Sequence, residues 1–175
     1  PGIRFLPYMG FDAMYPSAMS LRLLFGGGTV IVMPDVSLKS LEDAVDRFGA
    51  THVLTSPALI TRHFDKLPPG GQRFPGLVSL RLAGSLVPPA MYREFVRRVT
   101  SNVVIDYGSS EVGAVATGDR DTMTLQPRSV GRVVPWVEAQ AVEVGRKLGL
   151  GAGDAEIGPQ GQAQPTANGR ALHRG

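Results

Sequence analysis

The sequence contains no cysteine, which excludes disulfides and thiolate metal sites. It also has no apolar run near the ~20 residues needed to cross a bilayer. The N-terminal residues lack the basic-then-apolar pattern of a secretory signal. Together these absences predict a cytoplasmic protein. A continuous basic stripe is missing too, although the net charge is +3 and the pI ≈ 9.6. The 18 basic residues are scattered, and the one local cluster, Arg93, Arg97 and Arg98, is interrupted by Glu94. Glu94 and Arg98 stand four residues apart and are expected to pair on a helix. This is the pattern of a solvated helix face rather than of a phosphate-backbone footprint, so no nucleic-acid partner is expected. The chain starts at Pro1 rather than at a methionine and enters mid-pattern, which predicts a fragment.

What is present is one domain's worth of chain, 175 residues with 43% apolar residues, enough for a core. Residues 12–25 read as a helix closed by Gly26-Gly27-Gly28. The triple glycine precedes a strand, Thr29–Met33, whereas a phosphate loop would follow a strand and open a helix, so it is read as a helix C-terminus with a tight turn. Leu38, Leu41, Val45 and Phe48 recur at helical spacing between a capping Ser37 and Gly49. Thr51–Thr55 is strand-like, Ser56-Pro57 opens another helix, and residues 68–76 form a Pro/Gly-rich loop. Leu77–Leu82 is a strand. Pro89–Thr100 is a helix with Met91, Phe95 and Val99 on one face. The alternation predicts an α/β fold, a mostly parallel sheet flanked by helices with right-handed crossovers, followed by the start of a small β-rich subdomain.

Asn102 to Asp106 is a β-branched run of the kind that fills a buried strand. It is expected to end in a polar turn at Tyr107-Gly108-Ser109-Ser110-Glu111. Ligands of open α/β sheets bind beyond the carboxyl ends of the strands. This loop places an aromatic ring, a bare backbone, two hydroxyls and a carboxylate at such an end. It resembles the Tyr-Gly-x-Thr/Ser-Glu loop of the adenylate-forming superfamily, which comprises acyl-CoA synthetases, luciferases and peptide-synthetase adenylation domains. Two further segments agree in order. Ala83-Gly84-Ser85-Leu86-Val87-Pro88 is similar to the family's Gly-Gly-Ala/Ser-Pro-Leu turn, with Ala83 in place of the first glycine. Ser129-Val130-Gly131-Arg132 is similar to its Ser-Val-Gly-(Arg/Lys) segment. The resemblance covers roughly residues 1 to 145.

The resemblance implies an ATP-dependent ligase that joins a carboxylate to the α-phosphate of ATP, with Mg²⁺ as cofactor and CoA as second substrate. Such chemistry rests on positioning and charge neutralisation. It implies Glu111 as the Mg²⁺ ligand and Ser110 as the phosphate-facing hydroxyl, the two catalytic candidates. Tyr107 would lie against adenine and Asp106 would accept from the adenine amino group. Gly108 and Ser109 complete the nucleotide loop, and Ala83, Gly84 and Ser85 form the wall opposite the ring. Phe11-Asp12-Ala13 resembles the Phe-Asp-x-Ser motif of amino-acid adenylation domains, whose aspartate grips the amino group, but Met14 replaces the serine. Apolar Leu6, Tyr8 and Met9 would suit an acyl chain, so acyl-CoA synthesis in fatty acid metabolism leads. Amino-acid adenylation and a noncatalytic nucleotide-binding module are the alternatives.

Other candidates carry less. A hydrolase elbow at Ser109 or Ser110 would need glycine where Val112 stands. His52 in a strand and His63 in a helix form no metal pair and are read as structural. Thr117-Gly118-Asp119 mimics a ribose-binding motif but sits too close to Glu111, and is read as a turn. Ala114–Thr117 and Trp136–Val142 are expected strands. Residues 146–175 hold seven glycines, two prolines and four large aliphatic residues, too few to offset chain entropy. The expected division is an α/β part at 1–113, a partial β-rich part at 114–157 containing the Ala155-Glu156-Ile157 remnant, and a disordered tail at 158–175. The family's phosphate loop, ribose aspartate and lysine-bearing C-terminal domain have no counterpart here. The chain therefore holds half a site, is not expected to turn over alone, and has the missing parts of the same enzyme as partners.

Overall fold

The computed structural model describes residues 2–139, together with the backbone of four short strands, Ala141–Glu143, Arg146–Leu148, Ala155–Ile157 and Ala163–Pro165. Most of the expected tail at 158–175 lies outside the described residues. Seven strands and five helices precede these segments: β1 (Arg4–Pro7), α1 (Met14–Phe25), β2 (Thr29–Val30), α2 (Leu38–Glu42), β3 (His52–Thr55), α3 (Pro57–Thr61), β4 (Ser79–Leu82), α4 (Pro89–Arg98), β5 (Val103–Ser109), β6 (Gly113–Gly118), α5 (Arg120–Leu125) and β7 (Arg132–Val133).

The sheet runs β2-β1-β3-β4-β5-β6-β7, and the Ala155–Ile157 and Ala163–Pro165 strands continue it beyond β7. Its first four pairings are parallel and the next two antiparallel. The α/β alternation read from the sequence produces this arrangement, because each helix returns the chain so that the next strand starts at the same edge. Side-chain alternation then builds two apolar layers. On one face Leu80, Leu82, Val103 and Ile105 pack with Phe95 and Val99 from the α4 region and Leu41 of α2. On the other, Phe5, Leu54 and Ala83 pack with Tyr15, Met19 and Leu23 of α1. Leu82 and Phe95 are fully buried, and burial of each contributes roughly 1.5–3 kcal/mol relative to exposure.

Local signals behave as their chemistry requires. Ser37 and Ser56 accept from the backbone N–H three residues on, and Pro57 fills the first helical position of α3. Gly26 closes α1, and the Gly28 N–H donates to the Leu23 carbonyl at 2.7 Å. His52 lies in β3 beside the Thr51 hydroxyl, and the buried His63 meets the Tyr8 hydroxyl at 3.0 Å.

Several expectations are corrected. β2 is paired only over Thr29–Val30. The helix after Ser37 widens into a π turn at Asp43–Arg47. The wider turn shifts the stripe, so Phe48 is 43% exposed instead of joining Leu38 and Leu41. His63 lies just beyond α3 rather than within a helix. Glu94 pairs with Arg97 at 2.6 Å, not with Arg98. Arg98 instead turns inward, donates to the carbonyls of Phe64 and Leu67, and lies over the Phe64 ring. Thr117 and Gly118 finish β6 and Asp119 caps α5 through the Thr122 N–H, so the segment expected as a turn is a strand end and an unforeseen helix start. Trp136 sits in a turn closed by the Val137 N–H on the Val134 carbonyl, not in a strand.

Candidate active site

β5 does not stop at Asp106. It continues through Tyr107 and Gly108 to Ser109, turns over Ser110–Val112, and returns as β6. The expected polar loop is therefore the end of a β-hairpin with a register shift between Tyr107 and Gly108. A side chain on Gly108 would run into the backbone of Gly113 across the hairpin. Close strand approach thus accounts for this glycine. Gly84, in contrast, needs glycine for its own backbone, at φ +87°.

Tyr107 and Gly84 stand together between two cavities. The larger, about 580 Å³, is bounded by the Gly84–Pro89 turn, by Ile105 to Gly108, and by Pro127 to Val130. The smaller, about 140 Å³, lies toward α1 and is lined by Met9, Ala13, Tyr15, Ala83, Ser109, Ser110 and Ala114 as well as the shared residues. Gly84, Asp106, Tyr107 and Gly108 border both. Ser85 faces only the larger, and Ala83, Ser109 and Ser110 only the smaller. The Ala83 methyl is 6% exposed and packs with Phe5 and Leu54, so the departure from glycine is absorbed by the α1 layer. Tyr107 remains 39% exposed, which leaves its ring accessible.

Glu111 occupies the hairpin turn, exposed and outside the lining of either cavity. Hydrogen bonds from the Ser109 hydroxyl and from backbone hold its carboxyl below the usual carboxylate range. No group of three or more His, Cys, Asp or Glu able to hold a metal occurs among the described residues. One ionised, accessible carboxylate fits a magnesium whose other ligands are phosphates and water.

Two contributors were missed in the sequence. Arg128 borders the larger cavity as an exposed cation. Arg81 falls between Leu80 and Leu82 on β4, and the register Arg81 to Val104 places it on the same face as Asp106. Its Nε and Nη2 donate to the Asp106 carboxylate at 2.7 and 2.5 Å. The Tyr15 hydroxyl donates to Oδ2 at 3.0 Å and the Thr117 hydroxyl to Oδ1 at 3.2 Å. Asp106, with a side chain 2% exposed, therefore accepts four hydrogen bonds within the fold, the capacity of a carboxylate. These bonds tie β5 to β4, α1 and β6. Burial, with the Asp106 charge adding, pushes the Tyr15 hydroxyl up to about 12, so it stays a donor at neutral pH. The signal that could have found Arg81 was a charge inside a buried strand, which needs a partner.

The acyl environment expected from Leu6, Tyr8 and Met9 reduces to Met9. Leu6 and Tyr8 are buried in the core, where the Tyr8 hydroxyl donates to the Val36 and Ser37 carbonyls. Asp12 is exposed before α1 and lines neither cavity, and Ala13 takes the helix N-cap position.

The same architecture recurs in solved structures. The amide bond synthetase McbA from Marinactinospora thermotolerans superposes with a TM-score of 0.70 at 20% identity, covering 93% of this chain and 34% of that one. The O-succinylbenzoate coenzyme A synthetase MenE from Bacillus subtilis, in complex with ATP and magnesium ion, gives 0.72 at 15% identity, covering 91% and 34%. The chain shares the fold of these two synthetases. No family model matches it. Among curated proteins, the mitochondrial medium-chain acyl-CoA ligase ACSF2 is 25% identical in Mus musculus over 127 residues, 71% of this chain and 21% of that protein. The Homo sapiens protein of the same name is 23% identical over 125 residues, 70% and 20% respectively. The chain thus spans about a fifth of the length of the curated relatives it matches. Within this fold, Gly84 and Tyr107 form the partition between the two cavities.

Proposed function

We propose that these residues form the nucleotide-binding face of an AMP-forming ligase that activates a carboxylic acid as its adenylate and passes the acyl group to CoA. The observation that carries this reading is the partition itself. An exposed aromatic ring and a glycine-only turn flank a cavity of about 580 Å³, and a hairpin ending in an ionised acid rises beside it. Bound ATP with Mg²⁺ would supply the electrophilic α-phosphorus and neutralise phosphate charge.

The chain's own residues have distinct tasks in this reading. Tyr107 offers its ring to a planar base, a contact worth roughly 1–3 kcal/mol. Gly84 and Ser85 close the opposite wall, and the bare backbone of Gly84 permits close approach. Ser110 presents a hydroxyl donor to phosphate oxygens, while the Ser109 hydroxyl holds the Glu111 carboxyl. Glu111, kept ionised by its neighbours, holds the cation. Arg128 draws the polyphosphate to the larger cavity, since a guanidinium matches phosphate geometry. Asp106 acts as a positioning residue that fixes the strand carrying Tyr107. No helix among the described residues is long and apolar enough to span a membrane. A cytoplasmic site and a place in fatty acid metabolism belong to this proposal, and fractionation checks the first.

The test is pyrophosphate exchange in the full-length protein that contains these residues. Glu111→Ala is expected to lower exchange by about 10²-fold, the usual effect of removing a charge-stabilising group. Its melting temperature should stay unchanged, because the side chain is exposed. Normal exchange after this substitution would remove Glu111 from the metal site.

A further inference from the structure

The arginine cluster of α4 divides in the structure. Arg98 turns inward to the Phe64 and Leu67 carbonyls, whereas Arg93 and Arg97, four residues apart, share one face of the helix. Both border a third cavity, of about 380 Å³, between α4 and α5, and Arg120 at the start of α5 borders it as well. The floor is apolar, made by Val96 with the buried Tyr92 and Met123. No carboxylate lines this space. Glu94 pairs with Arg97, Asp119 accepts from the Thr122 N–H and hydroxyl, and neither Asp119 nor Asp121 reaches the lining. Among the described residues, no ion pair joins Arg93 or Arg120 to a carboxylate. Cations from two helices therefore face one apolar-floored space with too little negative charge to balance them.

We propose that this cavity binds a small organic phosphate, a monoester carrying an aromatic or short aliphatic body, at a position separate from the nucleotide. Charge argues for phosphate. Of the three arginines in the lining Glu94 offsets one, Arg97, which leaves the two charges of Arg93 and Arg120. A phosphate monoester carries roughly −1.5 to −2 at neutral pH, and a carboxylate supplies only half of that. Guanidinium forks also match phosphate oxygens in pairs. The floor argues for the body. Inorganic phosphate would leave Tyr92, Val96 and Met123 facing water, whereas an apolar body covers them. A volume of about 380 Å³ lies within the roughly 300–1,000 Å³ of small-molecule sites. Position argues for independence from ATP, because this cavity meets the larger one only at Pro89 and Pro127 and includes none of Gly84, Tyr107 and Arg128. The site stands whether or not the ligase reading does.

The experiment uses the full-length protein, because the chain spans about a fifth of its curated relatives' length and the remaining parts must leave the arginine rim open. Calorimetric titrations with phenyl phosphate, inorganic phosphate and benzoate are run with and without saturating MgATP. Phenyl phosphate should saturate a single site, at least about tenfold tighter than inorganic phosphate or benzoate, and equally well with MgATP present. Its affinity should fall as salt is raised, since the contacts are ionic and open to solvent. Arg93→Gln with Arg120→Gln, both at exposed positions, should weaken phenyl phosphate at least about tenfold. Arg22→Gln, which removes an exposed arginine of α1, should leave it unchanged. Thr124→Trp fills the cavity from an exposed position of its lining and should also weaken phenyl phosphate about tenfold. Absence of saturable binding, displacement by MgATP, full affinity in the double glutamine variant or in Thr124→Trp, or an equal loss in Arg22→Gln overturns the assignment.

Discussion

Breaking the Arg81–Asp106 pair from either side is expected to destabilise the chain more than any other polar change on their face of the sheet. The carboxylate is 2% exposed and joins four donors from β4, α1 and β6, whereas the Arg81 side chain is 27% exposed. Breaking a buried pair from one side costs about 3–5 kcal/mol, because the remaining charge is left without compensation. Which partner remains decides where in that range each variant falls. Asp106→Ala strands a guanidinium that can still meet some water, together with two hydroxyl donors, and belongs near 3 kcal/mol. Arg81→Ala strands the deeper carboxylate and belongs nearer 5 kcal/mol. Either loss is a large fraction of the 5–15 kcal/mol typical of a domain. The combined change Arg81→Leu with Asp106→Val should lie within about 1 kcal/mol of wild type, since apolar residues of similar volume often replace buried pairs at no cost. Urea unfolding of the four species closes a double-mutant cycle, with the m-value as the check on two-state behaviour. Single variants that each cost under about 1 kcal/mol, with additive effects in the double, would refute the argument that this pair ties α1, β4, β5 and β6 together.

Two further expectations concern the backbone and pH. Gly108→Ala should destabilise more than Gly84→Ala. Its methyl would meet Gly113 backbone across the hairpin, while a methyl at Gly84 meets only the Met9 side chain at 3.9 Å and pays chiefly for φ +87°, about 1–2 kcal/mol. Equal urea midpoints for the two variants would contradict the hairpin geometry. Burial lowers the imidazole pKa of both His52 and His63 from 6.5. The unfolded chain then binds protons that the folded one rejects. Stability is therefore present above about pH 6.5 and is lost as pH falls toward the depressed folded values. Urea midpoints should drop between pH 7.5 and 5.5, less steeply in His63→Gln, and an unchanged slope in that variant would exclude His63.

The features that proved legible are those with a local physical cause. Ser37 and Ser56 cap helices, Pro57 starts one, and Gly26 closes another, because each acts on backbone within a few residues of itself. The strand-helix rhythm from Thr29 to Asp106 carried the parallel sheet, while β1 at Arg4–Pro7 was not read from the sequence. The order of the Gly84, Tyr107 and Ser129 segments pointed to a fold that the similar solved structures share. Local rules failed where a neighbour from elsewhere took over. β5 runs past Tyr107 because β6 supplies hydrogen-bond partners, which strand propensity around Gly108-Ser109-Ser110 does not announce. The stripe ending at Phe48 slipped because the π turn inserts a residue into the helical period.

The sequence by itself determined the layered α/β order, since period, capping and turn chemistry act between residues close along the chain. Only the tertiary structure decided what Asp106 does. Its partners Tyr15, Arg81 and Thr117 lie 91, 25 and 11 residues away. They meet it because strand register and the packing of α1 bring them to one face of the sheet.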